Sequence, residues 1–202
     1  KVNSGEYNLI GLAPYGEPVY KDVILEKLLD LREDGSFRMD MSYFAFCTDD
    51  VMTSPKMDAL FGGPPRRAET EITQREMDIA ASIQAVTAEI VLRIARYAHA
   101  KTGMKKLCLA GGVALNCVAN GRVLREGPFD EVWIQPAAGD AGGALGAALF
   151  VWYQLLDNPR QPGGRDAMQG SLLGPRYSDD EIRAFLDEVG AVYQHFDEDE
   201  KA

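Results

Sequence analysis

The chain has 202 residues, of which 46% are hydrophobic and 26% charged, with 21 basic against 31 acidic side chains and a formal net charge of −10. Such a composition suits a folded domain with a real core and excludes a chain disordered over most of its length. An acidic balance without any Lys/Arg block argues against general nucleic-acid binding and against attachment to an anionic membrane, both of which need basic clusters, while leaving room for a local basic pocket for a nucleotide.

Glycines and prolines punctuate GEYNLIGLAPYGEP, which predicts a loop. In VYKDVILEKLLDLRED, Val23, Leu28 and Leu31 suit one face of a helix. After an Asp-Gly turn signal, DGSFRMDMSYFAF alternates and is rich in aromatics, favouring a strand or hairpin. MTSPKMDALFGGPPRRAE reads as a surface or site loop, with GGPP forcing irregular backbone beside Arg66 and Arg67. Those arginines could bind an anion or simply decorate the loop.

The strongest helical pattern spans Thr73–Thr102. Thr73 and Glu76 have capping-box spacing, Ile79, Ile83, Val86, Ile90, Ile94 and Tyr97 recur every three or four residues, and Gly103 supplies a stop. From there the pattern is β-α-β-α: KKLCLA a strand, VALNCVANGRVLRE a helix, EVWIQPA a strand and AGGALGAALFVWYQLL a helix. Two strands joined by a crossover helix imply a parallel unit in a helix-covered sheet, with the long helix lying against it. DNPRQPGGRDAMQGSLLGPRYS reads as a linker or surface excursion. Ser178 with Glu181 then caps SDDEIRAFLDEVG, whose Ile182, Phe185 and Leu186 need a partner surface, ahead of the acidic run DEDEKA.

Cys47, Cys108 and Cys117 lack CxxC spacing, so neither a disulfide framework nor a zinc knuckle is suggested, and a reducing cytosol fits best. Cys108 and Cys117 fall on a strand and a helix, where buried structural thiols outnumber reactive ones. The apolar stretch Ala144–Leu156 is shorter than the ~20 residues that span a bilayer, so no membrane span is expected. The opening KVNSGEYNLIG has neither an initiator Met nor signal-peptide features and reads as that of an excised fragment.

Chemistry is concentrated at the two strand-to-helix junctions. In LAGGVALN, Gly111 and Gly112 lack Cβ atoms, so main-chain N–H groups can approach an anion beside the positive end of the following helix; a plain α/β turn is the alternative. Neither GxGxxG nor GxxxxGK[ST] is matched. Asn116, about one helical turn in, could bond a ligand hydroxyl or hold its own loop. In IQPAAGDAGGALG, Asp140 stands among Gly139, Gly142, Gly143 and Gly146, at the expected edge for a metal or nucleotide, with helix N-capping as the alternative. Two such junctions at one sheet edge favour a ligand cleft. His99, near a helix C-terminus, and His195, by the acidic tail, show no nucleophile or metal spacing.

Taken together, GEYNLIGLAPYGEP, FGGPPRRAE, DIAASIQAVTAEI, LCLAGGVALNCVANGRVLREGPFDEVWIQPAAGDAGGALGAAL and LLGPRYSDDEI resemble the O-carbamoyltransferases of the nodulation, cephamycin and tobramycin type. The resemblance implies an α/β fold: the later half of a domain of the actin-like ATPase/sugar-kinase/Hsp70 (ribonuclease H-like) superfold, related to the tRNA threonylcarbamoyl-transfer protein, containing the parallel β-α-β-α unit. Residues 1–157 would be that half, 158–177 a linker, and 178–202 the start of a following synthase-like domain or an interdomain helix. By the same resemblance, the synthase module makes carbamoyl-adenylate from carbamoyl phosphate and ATP, and the larger domain passes the carbamoyl group to a hydroxyl of a sugar or other small acceptor.

Carried onto this chain, Gly111, Gly112 and Gly143 would approach the nucleotide, Asn116 would hydrogen-bond nearby, and Asp140 would join an iron-like divalent metal site whose two histidines are absent here. Neither His99 nor His195 matches them. The family often carries Lys where this chain has Asn8. The implied partners are carbamoyl phosphate, the acceptor and the remaining domains of a parent chain, in the cytoplasm, with no nucleic acid and no membrane. A sugar kinase or ATPase of the same superfold and a non-catalytic nucleotide-binding module are the alternatives. No residue is assignable as general base.

Overall fold

A computed structural model describes residues 6–161, 163, 164, 166 and 168–196. Two units follow one another along the chain, 1–158 and 159–202.

The first unit begins with a difference from the expected loop. Helix α1 spans Glu6–Leu12 and a 3₁₀ turn covers Ala13–Tyr15. Pro14 stops the α-helix at the residues before it. Both pieces pack along the long helix α4 (Gln74–Thr102), and they do so closely: a Cβ on Gly16 would lie 2.1 Å from the carbonyl oxygen of Met77. The Glu17 N–H donates to Asp78 Oδ1 at 2.8 Å and the Tyr20 N–H to Ser82 Oγ at 3.0 Å, satisfying loop backbone that would otherwise be stranded against the helix.

The helix expected over 19–34 is shorter than its pattern suggests. It runs as α2 (Lys21–Val23) and one π-type turn (Ile24–Leu28), after which Leu29–Leu31 form strand β1. β1 pairs antiparallel with β2 (Phe37–Met39), Leu29 opposite Met39 and Leu31 opposite Phe37. The hairpin wins because of its turn: Gly35 sits at φ 83°, and Asp34 accepts from the Ser36 N–H at 2.9 Å and hydroxyl at 2.6 Å. Buried Ile24 and Leu28, one turn apart, form the helical stripe, whereas Leu31 has joined the strand. A further expected loop contains a short helix, α3 (Pro55–Leu60), whose first position is the proline that suits it.

Helix α4 matches its predicted span. Glu76 accepts from the Thr73 N–H at 2.9 Å and from its hydroxyl, and Gly103 closes the helix in the left-handed conformation at φ 66°. The predicted stripe holds over its first half: Val86 is buried, and Ile79, Ile83 and Ile90 pack around Ile24, Leu28, Tyr43 and Phe61. It then fails, with Ile94 and Tyr97 exposed. Burial passes instead to Leu92 and Ala95, which meet Val123 and Phe129 together with Leu107 and Val132. One helix thus serves two clusters on different faces, and a single stripe cannot describe it.

That second cluster is the underside of the parallel pair β3 (Lys106–Leu109) and β4 (Glu131–Ile134), joined through a 3₁₀ turn (Gly112–Leu115) and helix α5 (Cys117–Glu126). Leu107 and Leu109 are half-buried, whereas Cys108 and its partner in register, Trp133, are exposed on the other face. Among the described residues the sheet is therefore covered on one face, and the expectation of buried thiols at Cys108 and Cys117 is corrected: the strand period placed Cys108 opposite the core. Helix α6 (Ala141–Phe150) follows β4 and runs into a π-type turn (Val151–Leu155), leaving Leu149, Phe150, Trp152 and Leu155 exposed. No helix among the described residues is long and apolar enough to cross a membrane.

The second unit contains a 3₁₀ turn (Gln169–Ser171) and helix α7 (Asp179–Glu188). Ser178 and Glu181 form the expected capping box, with Glu181 accepting from the Ser178 N–H at 2.7 Å. Ile182 and Phe185 are exposed, and the acidic run 197–202 lies outside the described residues.

The cap of α4 makes a testable pH dependence. Hydrogen bonds from the Thr73 side chain, then its backbone, with help from Arg75, hold the Glu76 carboxyl at about 2, below its ordinary 4.5. The folded value is depressed, so this stabilisation is complete above pH 4.5 and is lost as pH falls through about 2. Glu76→Gln should flatten the fall of chemical-denaturation stability across that window and cost about 1 kcal/mol at neutral pH.

Candidate functional site

Because β3 and β4 are parallel, their carboxyl ends lie at one sheet edge, which is where both glycine-rich junctions sit. They are joined directly. The Gly111 N–H donates to the Ala138 carbonyl at 2.8 Å, and a Cβ on Gly139 would lie 3.6 Å from Leu115 Cδ1.

The glycines at this edge have different reasons to be glycine. Gly111 adopts φ 99°, ψ 163°, a backbone that L side chains rarely take. At Gly142 a Cβ would meet the Ala137 carbonyl oxygen at 2.0 Å, so the loop's own packing requires that residue. Gly112 and Gly143 are unlike both: nothing lies within 4 Å of a Cβ at either, and neither has a positive φ. The folded chain itself therefore does not require glycine at these two positions, and both are open to the outside of the loop.

Asn116 is 5% exposed and ties the first junction together. Its Oδ1 accepts from the Ala119 N–H at 3.1 Å, capping α5, and from Gln84 Nε2 at 3.1 Å, while its Nδ2 donates to Gln84 Oε1 at 3.0 Å. Its backbone N–H donates to the Val113 carbonyl at 2.9 Å, and Asn120 Nδ2 to the Ala114 carbonyl at 2.7 Å. These bonds describe the loop-holding role of Asn116. Gln84 and Asn120 carried no signal in the sequence; their importance comes from chain segments far apart in number. Arg122 further fastens α5, pairing with Glu126 at 2.7 Å and approaching Glu89 of α4 at 3.9 Å. Hydrogen bonding from Arg93, then the charges of Arg93 and its basic neighbours, keeps the Glu89 carboxyl below its ordinary value.

Asp140 occupies the N-cap position of α6 in helical backbone (φ −57°, ψ −32°), and its side chain makes no capping hydrogen bond. The carboxylate is exposed beside Gly143, whose N–H donates to the Asp140 carbonyl at 3.0 Å. No group of three or more His, Cys, Asp or Glu side chains able to hold a metal ion exists among the described residues. Asp140, which can bind through one or both carboxylate oxygens, does not by itself make up a metal site among the described residues.

The other charged candidates lie elsewhere. Arg66 donates to the carbonyls of Arg67, at 3.2 Å, and Thr70, which secures its own loop. His99 is half-buried with its ring 5.5 Å from that of Phe129, and His195 lies 3.2 Å from Arg183 in the second unit.

Residues 1–149 match the family described as the carbamoyltransferase N-terminus. An uncharacterized protein of Synechocystis sp. is 58% identical over 99% of this chain and 33% of its own length. The nodulation protein NolO of Bradyrhizobium diazoefficiens is 35% identical over 95% of this chain and 32% of its own. NolNO of Sinorhizobium fredii is 37% identical over 87% and 24%. The chain thus spans a third or less of the length of these curated relatives.

Proposed function

We propose, because this chain belongs to the carbamoyltransferase N-terminus family, that it is part of an ATP-dependent O-carbamoyltransferase acting on a hydroxyl of a sugar or other small acceptor. Carbamoyl-adenylate is made from carbamoyl phosphate and ATP elsewhere in the parent protein. The edge formed by the two glycine junctions then receives it. The acceptor oxygen attacks the carbamoyl carbon, the bond from that carbon to the phosphate oxygen breaks, and AMP leaves with the electron pair. The proton of the hydroxyl goes to a base outside the residues assigned here.

The supporting observation is the pair of open glycines, Gly112 and Gly143, one in each of two junctions that are joined between the Gly111 N–H and the Ala138 carbonyl. Gly112 and Gly143 keep space free at this edge, so the adenylate phosphate can come close to the main chain there. Gly111 and Asn116 shape that loop. Asp140 contributes one ligand to an iron-like divalent cation whose other ligands come from beyond this segment; such a cation would neutralise charge on the mixed anhydride. The same reading takes 1–157 as the later half of an actin-like ATPase-type domain, 158–177 as a linker and 178–202 as the entry to the next domain or an interdomain helix, in a cytoplasmic enzyme.

The test uses the full-length protein with carbamoyl phosphate, ATP and a panel of hydroxylated acceptors, followed by mass spectrometry and by pyrophosphate release. A carbamoylated acceptor, with pyrophosphate release that requires carbamoyl phosphate, supports the assignment. A phosphorylated acceptor formed without carbamoyl phosphate would establish a kinase instead.

A further inference from the structure

We propose that Gln84, in the middle of α4, is the positioning residue that sets the conformation of the Gly111–Leu115 loop and hence its grip on a nucleotide. The proposal rests on the nucleotide reading of that loop given above. Gln84 is 8% exposed, on a helix whose neighbouring buried positions are Ala80, Ala81, Ser82, Val86 and Ala88, the Ser82 hydroxyl being bonded to the Asp78 carbonyl at 2.6 Å. A buried amide costs free energy unless its donor and acceptor are both met, and an apolar side chain would serve packing at least as well. Gln84 meets both requirements with a single partner, Asn116, 32 positions away, in a reciprocal pair at 3.1 and 3.0 Å.

The orientation of that pair is dictated by the loop. Asn116 Oδ1 must face the Ala119 N–H to cap α5, which turns its Nδ2 toward α4. Only a side chain offering a donor and an acceptor side by side can complete the pair from the helix. The pinned Asn116 then accepts no freedom in the turn before it: its N–H holds the Val113 carbonyl, the Ala114 N–H holds the Gly111 carbonyl at 3.0 Å, and Asn120 holds the Ala114 carbonyl. The main chain at Gly112, open on its outer side, is thereby fixed by a residue of a different element that is itself buried behind the loop.

The experiment is a double-mutant cycle in the full-length protein, reading AMP affinity by calorimetry and two partial reactions: carbamoyl-phosphate-dependent pyrophosphate release without acceptor, and acceptor carbamoylation. Gln84→Leu should weaken AMP binding and slow acceptor carbamoylation by about tenfold, leaving pyrophosphate release at its original rate. Asn116→Ser retains an oxygen to cap α5 but removes the reciprocal partner, so adding Gln84→Leu to it should cost less than about twofold. If Gln84→Leu does not fold, Gln84→Met, of similar length, is put through the same measurements. Unchanged AMP affinity, fully additive effects in the cycle, or equal losses in both partial reactions would overturn the positioning role. Gly112→Val separates the two levels: if it weakens AMP binding while Gln84→Leu does not, only the role of Gln84 falls, and if neither weakens it, the nucleotide reading falls first.

Discussion

Gly112→Val in the full-length protein should reduce acceptor carbamoylation by about a hundredfold or more while shifting the thermal midpoint by no more than about 2 °C. The two halves of that expectation have separate causes. The fold has room for the first side-chain atom, since a Cβ at this position meets no atom within 4 Å beyond its chain neighbours, and the backbone is not left-handed. If, as proposed, an adenylate phosphate lies against the loop N–H groups, it has no such room, and a branched side chain there would hold it away from donors that act only at hydrogen-bond distance. The neighbouring glycines make poor probes of the same idea. Gly111→Val forces φ 99° on a β-branched residue, and Gly142→Val drives a Cβ into the Ala137 carbonyl, so both unfold the loop whatever it binds. Transfer rates and thermal midpoints for Gly112→Val and Gly111→Val, measured together, distinguish ligand exclusion from loop damage. A Gly112→Val protein that transfers carbamoyl groups at the original rate would remove the loop from the nucleotide site.

What the sequence revealed followed from how local each cause is. Helix α4 was legible from end to end because its start and stop are short-range signals: the Thr73/Glu76 box and Gly103 act within one turn of the ends they define. The parallel pair was legible because two short β-rich runs flanked a helical pattern, and parallel strands need such a crossover. The segment 29–31 is ambiguous in sequence because its leucines satisfy a helical period as well as a strand alternation, and the turn at Asp34 and Gly35, outside the stretch itself, decides for the strand. Ile94 and Tyr97 continue the helical period but lie outside for a related reason: they come after the point where the partner of α4 changes from the Ile24 cluster to the Val123 cluster. At the site, the glycines were visible but not their different duties, since those depend on what lies beside each absent Cβ. Gln84 was invisible, because a glutamine on a helix gives no sign that it pairs with a loop asparagine 32 positions later.

Asp140→Ala is the second large expected effect, about a hundredfold loss of acceptor carbamoylation with pyrophosphate release preserved. Stability should barely change. The carboxylate is exposed and makes no capping bond, so its removal takes from α6 only a favourable charge near the helix start, worth a few tenths of a kcal/mol at the surface. That is unusual for an aspartate at an N-cap position, where the side chain ordinarily closes over the second or third backbone N–H. The carboxylate therefore has oxygens to spare at this sheet edge. Asp140→Asn decides what those oxygens do. An amide preserves shape and hydrogen bonding while removing the charge, so it should fail as completely as alanine if the carboxylate is a cation ligand, and the bound iron or manganese per full-length chain, measured by elemental analysis, should fall in both variants. Activity retained in Asp140→Asn but lost in Asp140→Ala would make Asp140 a hydrogen-bonding group, and undiminished transfer in both would take it out of the site altogether.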